Sequence, residues 1–180
     1  MQDALERSRA LFIRRWGEMS GYWGINRTMA ELHALLYISG EPLNTDEIME
    51  ALQISRGNTS MNIRQLVNWG LISRVHKKGD RKEYFAAQTD VWEMFETIVR
   101  ERRRREVEPI IETINRCRQM VTENISTLRD EQRQEARVYR ERLDNMANFL
   151  TMMNGLLNMM LDSGQGGLGQ VQKTLTKSAK

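Results

Sequence analysis

The hydrophobic pattern of this chain changes period at Gly70. Before this glycine, residues recur at the spacing of one buried helix face: Thr59, Ile63, Leu66 and Val67. After it, in LISRVH at residues 71–76, Leu71, Ser73 and Val75 alternate with Ile72, Arg74 and His76, which is the period of a strand. The segment EYFAA follows the turn KKGDRK, so the sequence predicts a β-hairpin with a charged tip. Gly70 stands where a left-handed residue commonly ends a helix.

Four helical patterns precede the hairpin. Apolar spacing predicts the first two helices over about residues 4–19 and 27–39. Asn44 or Thr45 can cap the third, TDEIMEALQI, because either side-chain oxygen can accept a hydrogen bond from a first-turn amide. Ser55 is the predicted cap of the fourth helix.

This order of elements predicts the fold class. Helices followed by a two-stranded hairpin, with a helix-turn-helix at residues 45–69, are typical of a winged helix-turn-helix domain. We assign that domain to residues 1–88 of a mainly α chain with a small β-hairpin.

The remaining sequence predicts long helices. Asp90 and Glu93 form a capping-box-like start, and Pro109 should kink or divide the helix that follows, because proline has no amide to donate. After a break near residues 122–130, a final helix is predicted over about residues 131–161.

These helices carry long apolar stripes. A small winged domain cannot cover them, so we expect them to pack on each other and on a second copy of the chain. Residues 90–161 are therefore the predicted region of homodimerisation, and residues 162–180, rich in Gly, Ser, Gln and Lys, the predicted flexible tail.

Composition and the motifs that are missing argue against several classes of protein. The chain has 180 residues, of which 40% are hydrophobic, enough for a sizeable core. Cys117 is the single cysteine and has no metal-ligand spacing around it, which favours a reducing cytoplasmic location. The N-terminus lacks the apolar region of a secretory signal, and the apolar stretch at residues 146–161 is too short and too often interrupted by asparagine to span a membrane. No catalytic constellation or complete cofactor motif is present, so we expect neither an enzyme nor a cofactor.

Positive charge is concentrated rather than large. The net charge is +3, yet RVHKKGDRK at residues 74–82 has five Lys or Arg against one Asp. A second run, RERRRRE at residues 100–106, could contact phosphates, but a solvated or salt-bridged helix surface is the more ordinary interpretation.

The fourth helix carries side chains that both donate and accept hydrogen bonds, as reading base edges in the major groove of DNA requires. The predicted base or adjacent phosphate contacts are Arg56, Asn58, Thr59, Ser60, Asn62 and Arg64, with Thr59 also in the inward stripe. The predicted phosphate or minor-groove contacts of the hairpin are Lys77, Lys78, Arg81 and Lys82. The sequence therefore predicts binding to double-stranded DNA.

Several motifs also resemble one family. WGINR, SRGNTSMNIRQL with NWGLI, the GDRK turn and VWEMF with its arginine run are similar to the GbsR/MarR-like transcriptional regulators, over about residues 20–120. The resemblance implies a dimeric winged-helix regulator, usually a repressor, and in some members control of genes for uptake or synthesis of osmoprotectants such as glycine betaine.

Two further interpretations remain open at this point. Aromatic residues could form a cage for a quaternary ammonium effector such as choline or glycine betaine, with Tyr22, Trp23 and Trp92 as the candidates, although core or dimer packing is the commoner role of such residues. Alternatively, the polar helix and basic hairpin could belong to a winged-helix interaction module that binds an acidic protein partner.

Overall fold

The computed structural model describes residues 2–125 and 128–162. A 3₁₀ turn at Gly21–Trp23 follows the first helix, and a π-helical turn at Arg103–Val107 joins the fifth helix to the sixth. The helices and strands, in chain order, are α1 Gln2–Ser20, α2 Arg27–Ser39, β1 Leu43–Asn44, α3 Thr45–Leu52, α4 Arg56–Asn68, β2 Ile72–His76, β3 Glu83–Ala87, α5 Val91–Arg102, α6 Glu108–Asn124 and α7 Asp130–Asp162.

The predicted hairpin is confirmed, and it is part of a three-stranded antiparallel sheet in the order β1-β3-β2. β2 and β3 pair from Ile72 opposite Ala87 to His76 opposite Glu83. β1 was not predicted, because its two residues are too few to show an alternating pattern.

Local signals set the ends of α3 and α4. Asn44 Oδ1 accepts hydrogen bonds from the amides of Asp46 and Glu47, at 2.9 and 3.1 Å, and Glu47 Oε2 accepts from the Asn44 amide at 2.7 Å. This reciprocal pair is a capping box. Ser55 Oγ accepts from the amide of Asn58 at the start of α4, and Gly70 follows that helix with φ of 73°. The predicted positions of both helices are therefore confirmed.

One core joins the helix-turn-helix to the sheet. Leu32 of α2, Ile48 of α3 and Leu66 of α4 are at most 1% exposed. Leu71, Ile72 and Phe85 of the sheet region and Met94 of α5 pack in the same cluster. This core fixes the orientation of α4 relative to the hairpin that follows it.

The described chain forms two compact units, divided between Ile98 and Val99. In the second unit, α6 and α7 pack together, and Arg118 Nε donates to Asp144 Oδ1 at 2.5 Å between them. α5 contributes Met94 to the core of the first unit, so this unit extends past the predicted domain boundary at residues 88–90. That boundary stays a prediction about which parts of the chain fold independently. The predicted tail lies outside the described residues, apart from Asp162.

Two sequence predictions for the long helices are refined. Asp90 caps α5 through the amides of Trp92 and Glu93, but Glu93 hydrogen bonds to Gln88 rather than completing a box. Pro109 lies in the first turn of α6, directly after the π-helical turn, so the helix changes its winding there. Within the described ranges, no helix combines the length and apolar character that crossing a membrane requires.

Candidate nucleic-acid interface

α4 presents one exposed face and one buried face. Thr59, Ile63 and Leu66 are buried, as the predicted inward stripe requires. Asn58 and Ser60 are half-buried beside the exposed face. The exposed residues of this helix are Arg56, Gly57, Met61, Arg64, Gln65 and Asn68.

The expected outward position of Asn62 is wrong. Its side chain is 0% exposed, and its Nδ2 donates to the backbone oxygen and to Oδ1 of Asn58, at 2.9 and 2.7 Å. Thr59 is also 0% exposed, and its hydroxyl donates to the Ser55 carbonyl at 3.0 Å. Both polar side chains bond within the helix, so in this conformation neither can reach a base edge.

Met61 and Gln65 occupy the exposed face that Asn62 was expected to share. They are separated by four residues, which places them on one side of the helix. A spacing of three residues from Arg64 would have found Met61, and a spacing of four from Met61 leads to Gln65, but Met61 is apolar and gave no polar signal. Arg64 is exposed, with its Nε donating to the Ser60 carbonyl at 3.2 Å.

The basic hairpin, residues 77–82, is held by Tyr84. Lys77 Nζ lies 4.2 Å from the centre of the Tyr84 ring, and the Tyr84 hydroxyl donates to Asp80 Oδ2 at 2.7 Å. This hydrogen bond lowers the pKa of the Asp80 carboxyl and raises the pKa of the Tyr84 hydroxyl. The amide of Lys82 also donates to Asp80, at 2.9 Å, so the turn is internally bonded.

Lys78 and Arg81 lie at the tip of this hairpin. Both side chains are exposed, and neither has an ion-pair partner in the part of the chain that the structure describes. Charges of this kind are available for the phosphates of a nucleic acid.

One carboxylate bridges α4 and the hairpin. Asp46 of α3 accepts from Arg56 Nη2 at 2.5 Å and is paired with Lys82 Nζ at 3.3 Å. Arg56, and then Lys82, lower the pKa of the Asp46 carboxyl. Two predicted DNA contacts that are far apart in sequence therefore lie within reach of one anion.

The arginine run at residues 100–106 is paired with acidic side chains. Arg102 bonds to Glu106, Arg104 to Glu101, and Arg103 to Glu108, at distances of 2.8–3.2 Å. This arrangement favours the salt-bridged interpretation of the run.

Tyr22 and Trp92 make no ring contact with each other in the part of the chain that the structure describes. Stacked ring pairs seen there include Phe12 with Trp16 and His33 with Tyr37. Tyr22 is 92% exposed in the turn after α1, whereas Trp92 is half-buried in the first turn of α5. The side chain of Trp23 lies outside the described part of the molecule. In the same ranges, no cluster of three or more His, Cys, Asp or Glu could hold a metal ion.

Comparison with known proteins matches residues 23–83 to the model of the MarR family. Among curated relatives, the HTH-type transcriptional repressor GbsR of Bacillus subtilis (strain 168) is 29% identical over 105 residues, which are 58% of each chain. The HTH-type transcriptional repressor OpcR of the same organism is 23% identical over 93 residues, 52% of this chain and 50% of OpcR. The chain thus spans little more than half the length of the curated relatives it matches.

The fold extends further along the chain than these sequence matches. A crystal structure described as that of a transcriptional regulator covers 88% of this chain and 98% of its own, with 24% identity and a TM-score of 0.58. This likeness supports the overall fold, including the helices that follow the winged region.

Proposed function

We propose that this chain, whose residues 23–83 match the MarR family model and which is similar to the repressor GbsR, is a dimeric, sequence-specific DNA-binding repressor of transcription. The observation that carries the proposal is the exposed face of α4 and the basic hairpin, which one core holds together. On this proposal Arg56, Arg64 and Gln65 contact bases or adjacent phosphates, and the hairpin contacts phosphates.

The proposed phosphate contacts of the hairpin can be tested at Lys78. Lys78→Ala should weaken binding to every duplex and reduce the slope of log affinity against log salt by about one, because one phosphate contact is lost. Binding is measured by fluorescence anisotropy on operator and random duplexes at several salt concentrations. The control is Arg9→Ala, which removes one positive charge from an exposed site on α1.

Equal effects of Lys78→Ala and Arg9→Ala would contradict the assignment of the hairpin. The operator itself is found by selecting bound sites from a random DNA pool at a stated salt concentration. A two-fold symmetric consensus is expected for a dimer, because each subunit reads one half-site.

Random duplex DNA also separates this function from that of an interaction module for an acidic protein. A DNA-binding protein retains measurable affinity for random duplex at low salt, since nonspecific binding is almost wholly electrostatic. A module that recognises an acidic protein should bind the duplex weakly and show no preferred sequence.

The proposal extends to the target genes and to a small-molecule effector. The relatives named as repressors support repression as the sign of regulation. The resemblance to the GbsR/MarR-like group supports osmoprotectant uptake or synthesis genes as targets, and a quaternary ammonium compound as effector. Adding choline or glycine betaine to the complex with the selected operator should then lower its affinity. Tyr22→Ala and Trp92→Ala should reduce that response if these rings contact the effector.

A further inference from the structure

Asp46 places a negative charge inside the proposed DNA-binding surface. Its two carboxylate oxygens face different cations: Oδ1 meets Arg56 at the start of α4, and Oδ2 meets Lys82 at the end of the basic hairpin. Lys82 is 36 residues away in the sequence, so the fold and not local spacing creates this contact. The side chains of Asp46, Arg56 and Lys82 are 52%, 66% and 56% exposed.

Stability alone is a weak reason for this arrangement. Exposed ion pairs contribute little to folding, because water and salt screen the charges and ordering long side chains costs entropy. The orientation of α4 and the hairpin is already set by the core, which includes Ile63, Leu66 and Phe85. Asp46 also lies in the first turn of α3, where a carboxylate is favourable, but Glu47 and Asn44 already complete the capping box there.

The two cations that Asp46 holds are part of the proposed DNA-binding surface. Arg56 and Lys82 are cations of the kind that bind phosphates, and in the free protein one carboxylate neutralises part of their charge. A phosphate that approaches either cation must displace the carboxylate or lie close to it, and like charges at short distance repel.

We propose that Asp46 is an intramolecular competitor for DNA phosphate that holds Arg56 and Lys82 in the free protein and lowers the affinity for duplex DNA. The proposal rests on the DNA-binding function proposed above. Random DNA is bound almost wholly through phosphates, whereas an operator also provides base contacts. The competitor therefore reduces binding to random DNA by the larger factor and increases the preference for the operator.

The test measures Asp46→Asn in the full-length protein, with random duplex and the selected operator at several salt concentrations. Affinity for random duplex should rise by about three- to ten-fold near 0.1 M salt, and the salt slope should become steeper by about one, as for one added phosphate contact. The ratio of operator to random affinity should fall.

Glu50→Gln is the matched control. Glu50 is exposed one turn further along α3, and its substitution removes the same charge without touching Arg56 or Lys82. Its effect on the salt slope should be less than half that of Asp46→Asn. In a Lys82→Ala background, the effect of Asp46→Asn should shrink, because one of the two released cations is missing.

The outcomes separate the two proposals. If the wild-type protein binds duplex DNA but Asp46→Asn matches Glu50→Gln, or binds more weakly than wild type, the competitor proposal is overturned while the DNA-binding function stands. If the wild-type protein binds no duplex at low salt, the DNA-binding function fails and the competitor proposal fails with it. Circular dichroism checks the fold, and Asp46→Ser, a residue suited to helix starts, makes the same charge change if the asparagine variant misfolds.

Discussion

Asn62 shows how a polar residue on the helix proposed to read DNA can serve the helix itself. Its amide donates twice to Asn58, and the side chain is fully buried. Asn62→Ala should lower the free energy of unfolding by about 1–2 kcal/mol, because buried hydrogen bonds and packing are lost. Urea denaturation measures this loss.

Gln65→Ala is the comparison for Asn62→Ala. Gln65 is exposed on the same helix, so its replacement should leave stability nearly unchanged and alter the ratio of operator to random affinity. A larger change in sequence preference for Asn62→Ala than for Gln65→Ala would show that Asn62 reads DNA after all.

His33 should make stability depend on pH. It is 4% exposed on α2, its Nε2 has no hydrogen-bond partner within the described ranges, and burial lowers its pKa from 6.5 to about 4. The folded state therefore favours the neutral ring. The contribution of this ring to stability is complete above pH 6.5 and is lost as the pH falls toward 4.

Between pH 7.5 and pH 5, this residue should account for a loss of about 2 kcal/mol in the free energy of unfolding. Urea denaturation at both pH values measures it, and His33→Leu, which cannot titrate, should show a correspondingly smaller loss. The same loss in both proteins would assign the pH dependence to other groups.

At the scale of elements, Gly57 in the first turn of α4 and Gly70 just after that helix have opposite conformational requirements. Gly70 has φ of 73°, a left-handed conformation that an alanine adopts only with strain. At Gly57 a methyl group would meet no described atom within 4 Å apart from its chain neighbours and the nearby backbone of α4, and the φ of Gly57 is not positive.

Gly70→Ala should therefore lower the free energy of unfolding by about 1 kcal/mol, whereas Gly57→Ala should raise it by a few tenths, up to about 1 kcal/mol. Thermal and urea denaturation compare the two variants. If Gly57→Ala is more stable and yet binds DNA more weakly, the open space beside Gly57 is where the duplex approaches. A Gly70→Ala protein as stable as wild type would contradict the strain argument.

Elements with strong local signals were predictable from sequence. The bounds of α2, the cap at Asn44 and the hairpin each follow from side chains within a few residues of the feature. β1 was missed because it exists only through its pairing with β3. The π-helical turn before Pro109 was also missed, since the sequence indicates a disturbed helix but not how its winding changes.

The candidate site was predictable in its elements and only partly in its residues. The sequence identified α4 and the basic hairpin, but it could not distinguish an outward Asn from one that bonds inward, as Asn62 does. The bridge from Asp46 to Arg56 and Lys82 was equally invisible, because it joins three elements that only the folded core brings together.

At the scale of the whole molecule, the exposed apolar side chains of α7 favour a homodimer. The larger ones are Val138, Tyr139, Met146, Phe149, Met152, Met153, Leu156 and Met159, all at least 38% exposed in the single chain. Such a run of exposed apolar residues is unusual for a monomer and typical of an interface. Within the second unit, α6 covers only part of this helix.

Phe149→Glu combined with Leu156→Glu should convert the dimer to a monomer without unfolding it, because both side chains are already exposed in the single chain. Sedimentation velocity measures the mass, and Leu5→Glu, a similarly exposed site on α1 outside the predicted dimerisation region, is the control that should stay dimeric. The monomer should bind a half-site and a full operator with similar affinity. For the wild-type dimer, inserting about five base pairs between the half-sites should abolish the preference for the operator, because the half-sites then face opposite sides of the duplex. A double variant that remains dimeric would place the interface on a surface other than this face of α7.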